Sequence, residues 1–590
     1  MEDGSSTLAG TNSHFFLLAP LARSKMGIIP ALSARLSAGR FAHKFAEEDF
    51  LRLPGWNVIQ LGGSRAPRPV YKKRRVHLQV LAISPARVGD ISMQKGVLYA
   101  SFSVQKGVLC AAFSMQKGVL CAAFSVQKGV LCAAFSLEKG ANAGYCKSMK
   151  RNALDSLHKW QNSPDRKPLL LKGARQVGKT WLMKEFGRTA YQNVVYIDFY
   201  NNQQARLIFE GDLIPQRIVQ ELNFISGETI KPNLTLIIFD EIQECNRALN
   251  SLKYFFEEAP EYHIIAAGSF LGIALHENES FPVGKTDCIT VCPMAFNEFL
   301  EALGEIQLLE AIEKCDSRII NLVKQNLLKH LKYYFYTGGM PEVVLSFARE
   351  KNFNKIRTIQ KRILSDYEDD FSKHTGMVSS EKVIRLWNSI PRQLAREKKK
   401  FVYNDVKIGA KSRDYRSSLF WLSKCGLVYE VSRISLPHYP LASYAEPEHF
   451  KIYILDIGLL SALAGLDIDA FLDRDAAVFD HFYGSLAEQF VLQELKTLED
   501  IPIYYWAREG SSKAEVDFVI QMENTIIPLE VKAERNLKAK SLKVYIEFYK
   551  PQIAIRASLE DLNMKSGCVH DIPLYSIRKL REIVYANRHE

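Results

Sequence analysis

One segment limits what this chain can fold into. Lys167 to Thr180 reads KPLLLKGARQVGKT, an apolar run that breaks into a glycine-rich turn ending in Gly-Lys-Thr. The run Leu169–Leu171 predicts a buried parallel strand. Gly173 and Gly178 allow the backbone to curl so that its N–H groups point inward, and a helix opening at Thr180 would direct its positive end to the same point. The segment therefore predicts a binding site for phosphate groups.

A nucleoside triphosphate with Mg²⁺ is the ligand that this loop predicts. Lys179 would reach the β- and γ-phosphates, and the Thr180 hydroxyl would hold Mg²⁺. An ordinary glycine turn before a helix is the weaker interpretation, because both the strand and the helix are predicted around it. We predict ATP and Mg²⁺ as cofactors, with the nucleotide held by Gly173, Ala174, Arg175, Gln176, Val177, Gly178, Lys179 and Thr180.

Two further apolar runs end in polar residues that suit the same chemistry. The first, from Leu234, ends at Asp240 and Glu241. Asp240 would hold Mg²⁺ through water, and Glu241 would polarise the water that attacks the γ-phosphate. The second run, from Tyr262, reaches Ser269, which is placed either as a sensor of the γ-phosphate or in an ordinary strand-ending turn.

Strands that alternate with helices predict an α/β fold with a parallel sheet covered on both faces, the architecture of a P-loop NTPase. We assign the ATPase core to residues 149–300. Helices dominate the following stretch, so residues 301–395 are predicted to form a helical lid that includes the turn Tyr336–Glu342. Residues 396–450 have the order of strand, helix, turn, helix and wing of a winged helix, which would either contact DNA or serve as a packing module.

Residues 1–148 have a different character. They carry the whole formal net charge of +12, whereas the rest of the chain is balanced. Residues 93–136 are four near-identical copies of an eleven-residue unit, shorter and less diverged than the repeats of folded solenoids. We expect residues 1–148 to be disordered or the product of a mis-started translation, with the native chain beginning at Met149. A genuine basic extension is the alternative.

A second group of charged residues lies in the carboxy-terminal segment 451–590. Two predicted strands, joined by a turn at Glu523-Asn524, place Asp517 beside Glu515 on one face and Glu530 beside Lys532 on one face. Such a group suits a metal-dependent phosphodiesterase. In that interpretation Asp517 and Glu530 hold Mg²⁺, Lys532 orients the water, and a helical carboxylate completes the site, namely Glu488. A salt-bridged amphipathic hairpin is the alternative.

Taken together, the chain from about Met149 to its end resembles the prokaryotic family of predicted AAA+-type ATPases with a carboxy-terminal DUF4143 region. The resemblance spans about three quarters of the chain, and residues 1–148 have no counterpart in it. It implies a P-loop ATPase fused to a winged-helix element and an α/β carboxy-terminal domain similar to PD-(D/E)XK nucleases. One position departs from the family, because a lysine, Lys285, follows Gly284 where an arginine is often found. The resemblance is carried by Gly173–Thr180, Phe239–Gln243, Gly268–Ser269, Pro293–Phe299, Gly338–Glu342, Lys451–Leu459, Gly484–Glu488 and Leu529–Lys532.

Two functions follow from these residues. The first is an ATPase whose cycle is coupled to a nuclease-like domain acting on DNA. The second is a nucleotide-controlled switch whose carboxy-terminal domain is catalytically inactive and docks a partner. We expect ATP as a partner, with DNA and a second copy of the chain as candidates. Scattered cysteines without a Cys-x-x-Cys pair predict the reducing cytoplasm, and no stretch reaches the roughly 18 apolar residues that would span a membrane.

Overall fold

The computed structural model describes most of the chain beyond residue 149 and four strands before it. The described ranges are 100–104, 110–116, 119–126, 132–136, 150–268, 284–375, 377–396, 399–472, 480–498, 501–508, 514–532, 540–564 and 567–586. The chain divides into two compact units, residues 1–146 and 147–590. Each unit is described by itself below.

The repeats of the first unit contribute one strand each to a four-stranded sheet with the order β1-β3-β2-β4. The central pair, β2 and β3, is antiparallel, whereas β2 and β4 pair in parallel with Cys110 opposite Cys132. Equivalent residues of two repeats thus face each other. That residues 1–148 are a non-native or disordered extension stays a prediction. The strands are β1 (Ala100–Val104), β2 (Cys110–Gln116), β3 (Val119–Val126) and β4 (Cys132–Ser136).

The second unit begins with an all-parallel five-stranded sheet, as predicted, with the order β6-β7-β8-β5-β9. Leu169 to Leu171 are fully buried, because β5 is an interior strand between β8 and β9, and this explains why three consecutive leucines form it. The sheet consists of β5 (Leu169–Lys172), β6 (Asn193–Asp198), β7 (Thr235–Asp240), β8 (His263–Ala267) and β9 (Asp287–Thr290). The accompanying helices are α1 (Ala153–Gln161), α2 (Lys179–Ala190), α3 (Gln203–Leu207), α4 (Pro215–Ser226) and α5 (Asn246–Glu258).

Helices fill the next hundred residues, which confirms the helical character predicted for this stretch. They pack around buried aromatic side chains such as Tyr334, Tyr367 and Trp387. The helices are α6 (Phe296–Leu303), α7 (Ile306–Lys314), α8 (Ser317–Thr337), α9 (Pro341–Glu350), α10 (Phe353–Thr375) and α11 (Met377–Leu394).

The remaining strands form one eight-stranded mixed sheet with the order β11-β10-β12-β13-β14-β15-β17-β16. The predicted hairpin is confirmed, because β13 and β14 are antiparallel neighbours. The domain boundary predicted at 450/451, however, falls inside β11. Since β10 pairs with both β11 and β12, the expected wing belongs to the carboxy-terminal sheet rather than to a separate element.

The elements of this region are named in chain order as follows. The strands are β10 (Val428–Ile434), β11 (Ala445–Ile454), β12 (Ile503–Ala507), β13 (Glu515–Met522), β14 (Thr525–Val531), β15 (Ala554–Ser558), β16 (Asn563–Met564) and β17 (Val569–Pro573). The helices are α12 (Tyr403–Val406), α13 (Ser412–Lys424), α14 (Ile457–Leu463), α15 (Ile468–Leu472), α16 (Asp480–Lys496), α17 (Lys540–Tyr549) and α18 (Leu580–Ala586).

Asp456, between β11 and α14, is a buried carboxylate that joins the helical and sheet regions. Its Oδ2 accepts from the Gly339 N–H at 2.6 Å, and its Oδ1 accepts from the Leu459 N–H at 2.9 Å. Burial raises the pKa of Asp456 to about 6, although these N–H groups act in the opposite direction. The turn 336–342 that was expected in a lid is therefore a buried turn between α8 and α9.

Gly458, at the start of α14, lies where its backbone and that of the turn between α8 and α9 approach closely. A Cβ placed on Gly458 would clash with the backbone of Thr337 and Gly338. We expect Gly458→Ala to lower the free energy of unfolding by about 1–3 kcal/mol through overpacking. Urea denaturation followed by tryptophan fluorescence measures the change.

Gly484, inside α16, is the matched control. A Cβ there meets nothing within 4 Å, so Gly484→Ala is expected to raise stability by about 0.5–1 kcal/mol. Equal effects of the two substitutions would contradict the close approach at Gly458.

Candidate functional site

The loop between β5 and α2, residues 173–180, is called the phosphate loop. Three of its residues have positive φ angles, namely Gly173 (141°), Gln176 (67°) and Gly178 (93°). Gly173 is also required for space, because a Cβ there would overlap the carbonyl of Val291. Alternation of left-handed residues with ordinary ones is the backbone pattern that turns successive N–H groups toward one anion.

The Lys179 side chain is folded back into the loop. Its Nζ donates to the carbonyl oxygens of Gly173 at 2.9 Å and Ala174 at 2.8 Å. Burial lowers the pKa of Lys179 to about 8, while the nearby carboxylates Glu241 and Asp240 act in the opposite direction. The ammonium therefore lies within the loop, where the sequence predicted it.

Two side chains from outside the loop donate hydrogen bonds to two further carbonyls of the loop. The hydroxyl of Tyr367, on α10, donates to the Arg175 carbonyl at 2.8 Å, and the guanidinium of Arg151 donates to the Val177 carbonyl at 2.9 Å. In a trans peptide unit the N–H points opposite to the carbonyl. Fixing a carbonyl on one side therefore turns the next N–H to the other side. Within the part of the chain that the structure describes, the N–H groups of residues 174–178 have no hydrogen-bond partner, and they are free to bind an anion.

The two predicted Mg²⁺ ligands are in direct contact at the end of the central strands. The Thr180 hydroxyl donates to Asp240 Oδ2 at 2.7 Å, and the Tyr196 hydroxyl donates to the same oxygen at 2.9 Å. Glu241 follows in a left-handed conformation with φ of 50°, and its Oε2 accepts from the Gln243 amide at 2.7 Å. A hydroxyl and a carboxylate at one point are oxygen donors of the kind Mg²⁺ prefers, so these residues fit the ion.

Two residues singled out in the sequence, Ser269 and Lys285, follow β8 in the chain. Ser269, the proposed sensor, lies outside the described residues. Lys285, which stands where the resembled family often has arginine, forms an ion pair with Glu257 at 3.0 Å and lies over the ring of Phe256. The Lys285 ammonium is therefore paired with a carboxylate of α5.

The four predicted carboxy-terminal residues are brought close together in the structure. The Val531 N–H donates to Asp517 Oδ2 at 2.8 Å, and Lys532 Nζ contacts Glu530 Oε1 at 2.7 Å. Burial raises the pKa of Asp517 well above its ordinary range, and the negative charges of Glu488 and Glu530 raise it further. These effects place Glu488, on α16, near the two hairpin carboxylates.

Sequence analysis missed two lysines of this cluster. Lys451 Nζ lies 2.6 Å from Glu515, 3.8 Å from Asp517 and 3.9 Å from Glu488, and its side chain is completely buried. Lys399 contacts the other oxygen of Glu488. A signal for Lys451 was available, because it is a charged residue inside the apolar run of β11. Burial alone would lower the pKa of Lys451, but the surrounding groups raise it well above its ordinary value.

We call this group the carboxylate cluster: Glu488, Glu515, Asp517 and Glu530 with Lys399, Lys451 and Lys532. Among the described residues, no set of three or more His, Cys, Asp or Glu side chains is arranged to hold a metal ion. Glu530 Oε2 is nevertheless buried without a hydrogen-bond partner. Since Mg²⁺ is often held by only one or two carboxylates plus water, Asp517 and Glu530 fit it as a pair.

Several basic residues near the predicted winged helix are paired with carboxylates. Arg396 forms an ion pair with Asp405, and Arg416 contacts Glu430 at 3.1 Å. Lys399 contacts Glu488 in the carboxylate cluster. These charges are therefore less available to bind the phosphates of DNA.

Residues 165–300 match the model of an AAA domain. The AAA domain coincides with the parallel sheet and includes the phosphate loop, Asp240 and Glu241. Residues 483–577 match the domain of unknown function DUF4143, and residues 328–470 match a second domain of unknown function, DUF8612. An ATPase-type domain together with a DUF4143 region is thus present, as the sequence indicated.

Similar solved structures are distant. No curated protein matches the chain. The Walker-type ATPase PABY2304 of Pyrococcus abyssi is 16% identical, covers 53% of this chain and 96% of its own, and has a TM-score of 0.33. The Orc1 protein of Aeropyrum pernix in complex with DNA is 13% identical, with 54% and 91% covered and a TM-score of 0.21. PCH-2 of C. elegans is 11% identical, with 33% and 66% covered and a TM-score of 0.19. At these scores no property of these proteins is transferred to this chain.

None of the helices that the structure describes is long and apolar enough to cross a membrane.

The lowered pKa of Lys179 gives nucleotide binding a pH dependence. The ammonium is charged below pH 8 and loses its proton as the pH rises through that value. We expect the Kd for ATP to be constant below pH 8 and to rise by up to about tenfold per pH unit above it, because the neutral amine no longer attracts phosphate. Isothermal titration calorimetry between pH 7.5 and 9.5 measures this.

Lys179→Arg provides the control, since a guanidinium stays charged throughout this range. Its binding is expected to be weaker but independent of pH. A pH-independent Kd for the unaltered chain would contradict the role given to Lys179.

Proposed function

We propose that this protein is a Mg²⁺-dependent ATP hydrolase. The contact between Thr180 and Asp240 carries the proposal, because it joins the two proposed Mg²⁺ ligands beside a loop in which the N–H groups of residues 174–178 have no hydrogen-bond partner among the described residues. Few structural roles require a hydroxyl, a carboxylate and a lysine at the end of buried parallel strands. Triphosphate binding requires all three.

Each residue of the site has a distinct role in the proposed binding and hydrolysis of ATP. The N–H groups of the phosphate loop and the Lys179 ammonium hold the phosphates and neutralise their charge. Thr180 and Asp240 hold Mg²⁺, which screens the charge of the β- and γ-phosphates when bound. Glu241 accepts the proton of the attacking water, since its carboxylate immediately follows Asp240 at the end of β7. Ser269 is proposed as the sensor of the γ-phosphate.

ATP turnover by the full chain tests this assignment. Lys179→Ala is expected to weaken ATP binding at least about tenfold through loss of a charged contact. Glu241→Gln is expected to bind ATP normally but to hydrolyse it at least about a hundredfold more slowly, because the general base is lost. A phosphate-release assay beside equilibrium binding separates the two effects.

The neighbouring Glu244→Gln serves as the matched control, since the Glu244 side chain pairs with Arg206, and its backbone hydrogen bond to the Glu241 carbonyl is kept in the variant. It should leave both measurements unchanged. Turnover by Glu241→Gln equal to that of the unaltered chain would remove Glu241 from the mechanism.

For the carboxy-terminal domain we propose a Mg²⁺-dependent phosphodiesterase activity on DNA, of the PD-(D/E)XK type. Two observations favour it. Asp517, Glu530, Lys532 and Glu488 lie in one cluster, and Glu530 retains one buried oxygen without a hydrogen-bond partner among the described residues. Asp517 and Glu530 would hold the ion, and Lys532 would orient the attacking water or screen phosphate charge.

A second candidate is the nucleotide-controlled switch, in which this domain docks a partner without cleaving it. The buried ammonium of Lys451 favours this candidate, because it lies within 3.9 Å of three carboxylates of the cluster and offsets part of their negative charge. A site whose charge is partly offset by its own lysines has less need of a divalent cation.

A DNA cleavage assay with linear and branched substrates distinguishes the candidates. A nuclease requires Mg²⁺-dependent cleavage that Asp517→Asn reduces to background. Glu547→Gln, which alters an exposed carboxylate on α17 of the same domain, should cleave as the unaltered chain does. If the unaltered chain cleaves neither substrate, the phosphodiesterase proposal fails and the nucleotide-controlled switch is the candidate that remains.

A further inference from the structure

Helix α10 lies against the outside of the phosphate loop. Three of its residues, Asp366, Tyr367 and Asp370, hydrogen-bond to two consecutive loop residues, Arg175 and Gln176. Asp366 and Asp370 are four residues apart and therefore share one face of the helix. Three side chains of one helix thus contact two residues of the loop.

One guanidinium nitrogen of Arg175 donates to both carboxylate oxygens of Asp370, at 2.6 and 2.7 Å. The Asp370 side chain is 5% exposed, whereas that of Arg175 is 48% exposed. A nearly buried carboxylate depends on its cation, because removing the cation would leave a buried charge unpaired. The pair therefore fixes the Arg175 side chain to α10.

Gln176 has a left-handed backbone that a side chain seldom adopts, with φ of 67°. Such a conformation costs of the order of 1 kcal/mol and persists where the surroundings hold it. Two contacts hold it here. The Gln176 amide donates to Asp366 Oδ2 at 2.8 Å, and Tyr367 fixes the peptide unit between Arg175 and Gln176 through the carbonyl. The N–H of Gln176 consequently points away from α10.

We propose that Asp366, Tyr367 and Asp370 are positioning residues for nucleotide binding: they hold the phosphate loop in its anion-receiving shape before the nucleotide arrives. All three lie in the segment that matches DUF8612, so this domain of unknown function would complete the nucleotide site of the AAA domain. The proposal rests on the proposed ATP binding. Its physical basis is that a loop ordered in advance loses less entropy when it binds.

The first experiment compares Tyr367→Phe and Asp370→Asn with Asp369→Asn in the full chain. Asp369 is the exposed neighbour on the same helix and makes no contact with the loop among the described residues, so it is the matched control. We expect the KM for ATP to rise about fivefold or more in the first two variants, with kcat within about twofold, because one net hydrogen bond is worth about 1 kcal/mol. An unchanged KM, or a fall confined to kcat, would overturn the proposal.

A double-substitution cycle separates positioning from packing. If Asp370 acts through Arg175, Asp370→Asn should raise the KM in the unaltered background but should not raise it further in an Arg175→Ala background, where it only removes a buried charge that has lost its partner. Additive effects in the double variant would mean that Asp370 acts by another route and would overturn this part of the proposal.

Trypsin cleavage after Arg175, followed by mass spectrometry without nucleotide, tests the loop itself. Tyr367→Phe and Asp370→Asn are expected to be cleaved several times faster than Asp369→Asn, because a loosened loop enters the protease more easily. Equal rates in all three would contradict the positioning role. If the unaltered chain binds no ATP, the proposed function fails, while this cleavage still decides whether α10 orders the loop.

Discussion

A buried peptide unit can present its N–H to a ligand without leaving a polar group unpaired when its carbonyl is satisfied on the other side. The phosphate loop meets this condition with donors from three parts of the chain. Lys179 comes from the loop itself, Arg151 precedes the first helix, and Tyr367 lies nearly two hundred residues later. The nucleotide site is therefore a property of the AAA domain together with the helical region, although the defining motif occupies only a few residues.

Local features of this architecture could be predicted because they depend on neighbouring residues. Consecutive apolar residues gave the central strands, and the alternation around Glu523-Asn524 gave the hairpin. The contacts of Tyr367, Asp370 and Lys451 could not be predicted, since each joins residues far apart in the chain. Lys451 was at least visible as a charge in an apolar strand, whereas nothing in the sequence marks Tyr367 as a donor to the loop.

The place of the wing in the larger sheet could not be predicted for a related reason. Two helices followed by two strands are the local order of a winged helix, but local order does not say which strand lies beside which. The pairing of β10 with β12 incorporates the wing into the larger sheet. The same pairing brings Lys451 on β11 close to the hairpin carboxylates, where opposite charges make the burial of both tolerable.

Strand β11 has a consequence for how this protein can evolve. Lys451 lies within it and Asp456 lies two residues beyond its end, so one short stretch supplies a cation to the carboxylate cluster and the carboxylate that holds the turn before α9. Side chains alternate along a strand, and an insertion of one residue between these positions would move one of the two to the wrong face. Insertions and deletions should therefore be rare in this stretch among related sequences. They should be tolerated better at the exposed Glu523-Asn524 turn, where Glu523 accepts an exposed hydrogen bond from the Tyr585 hydroxyl.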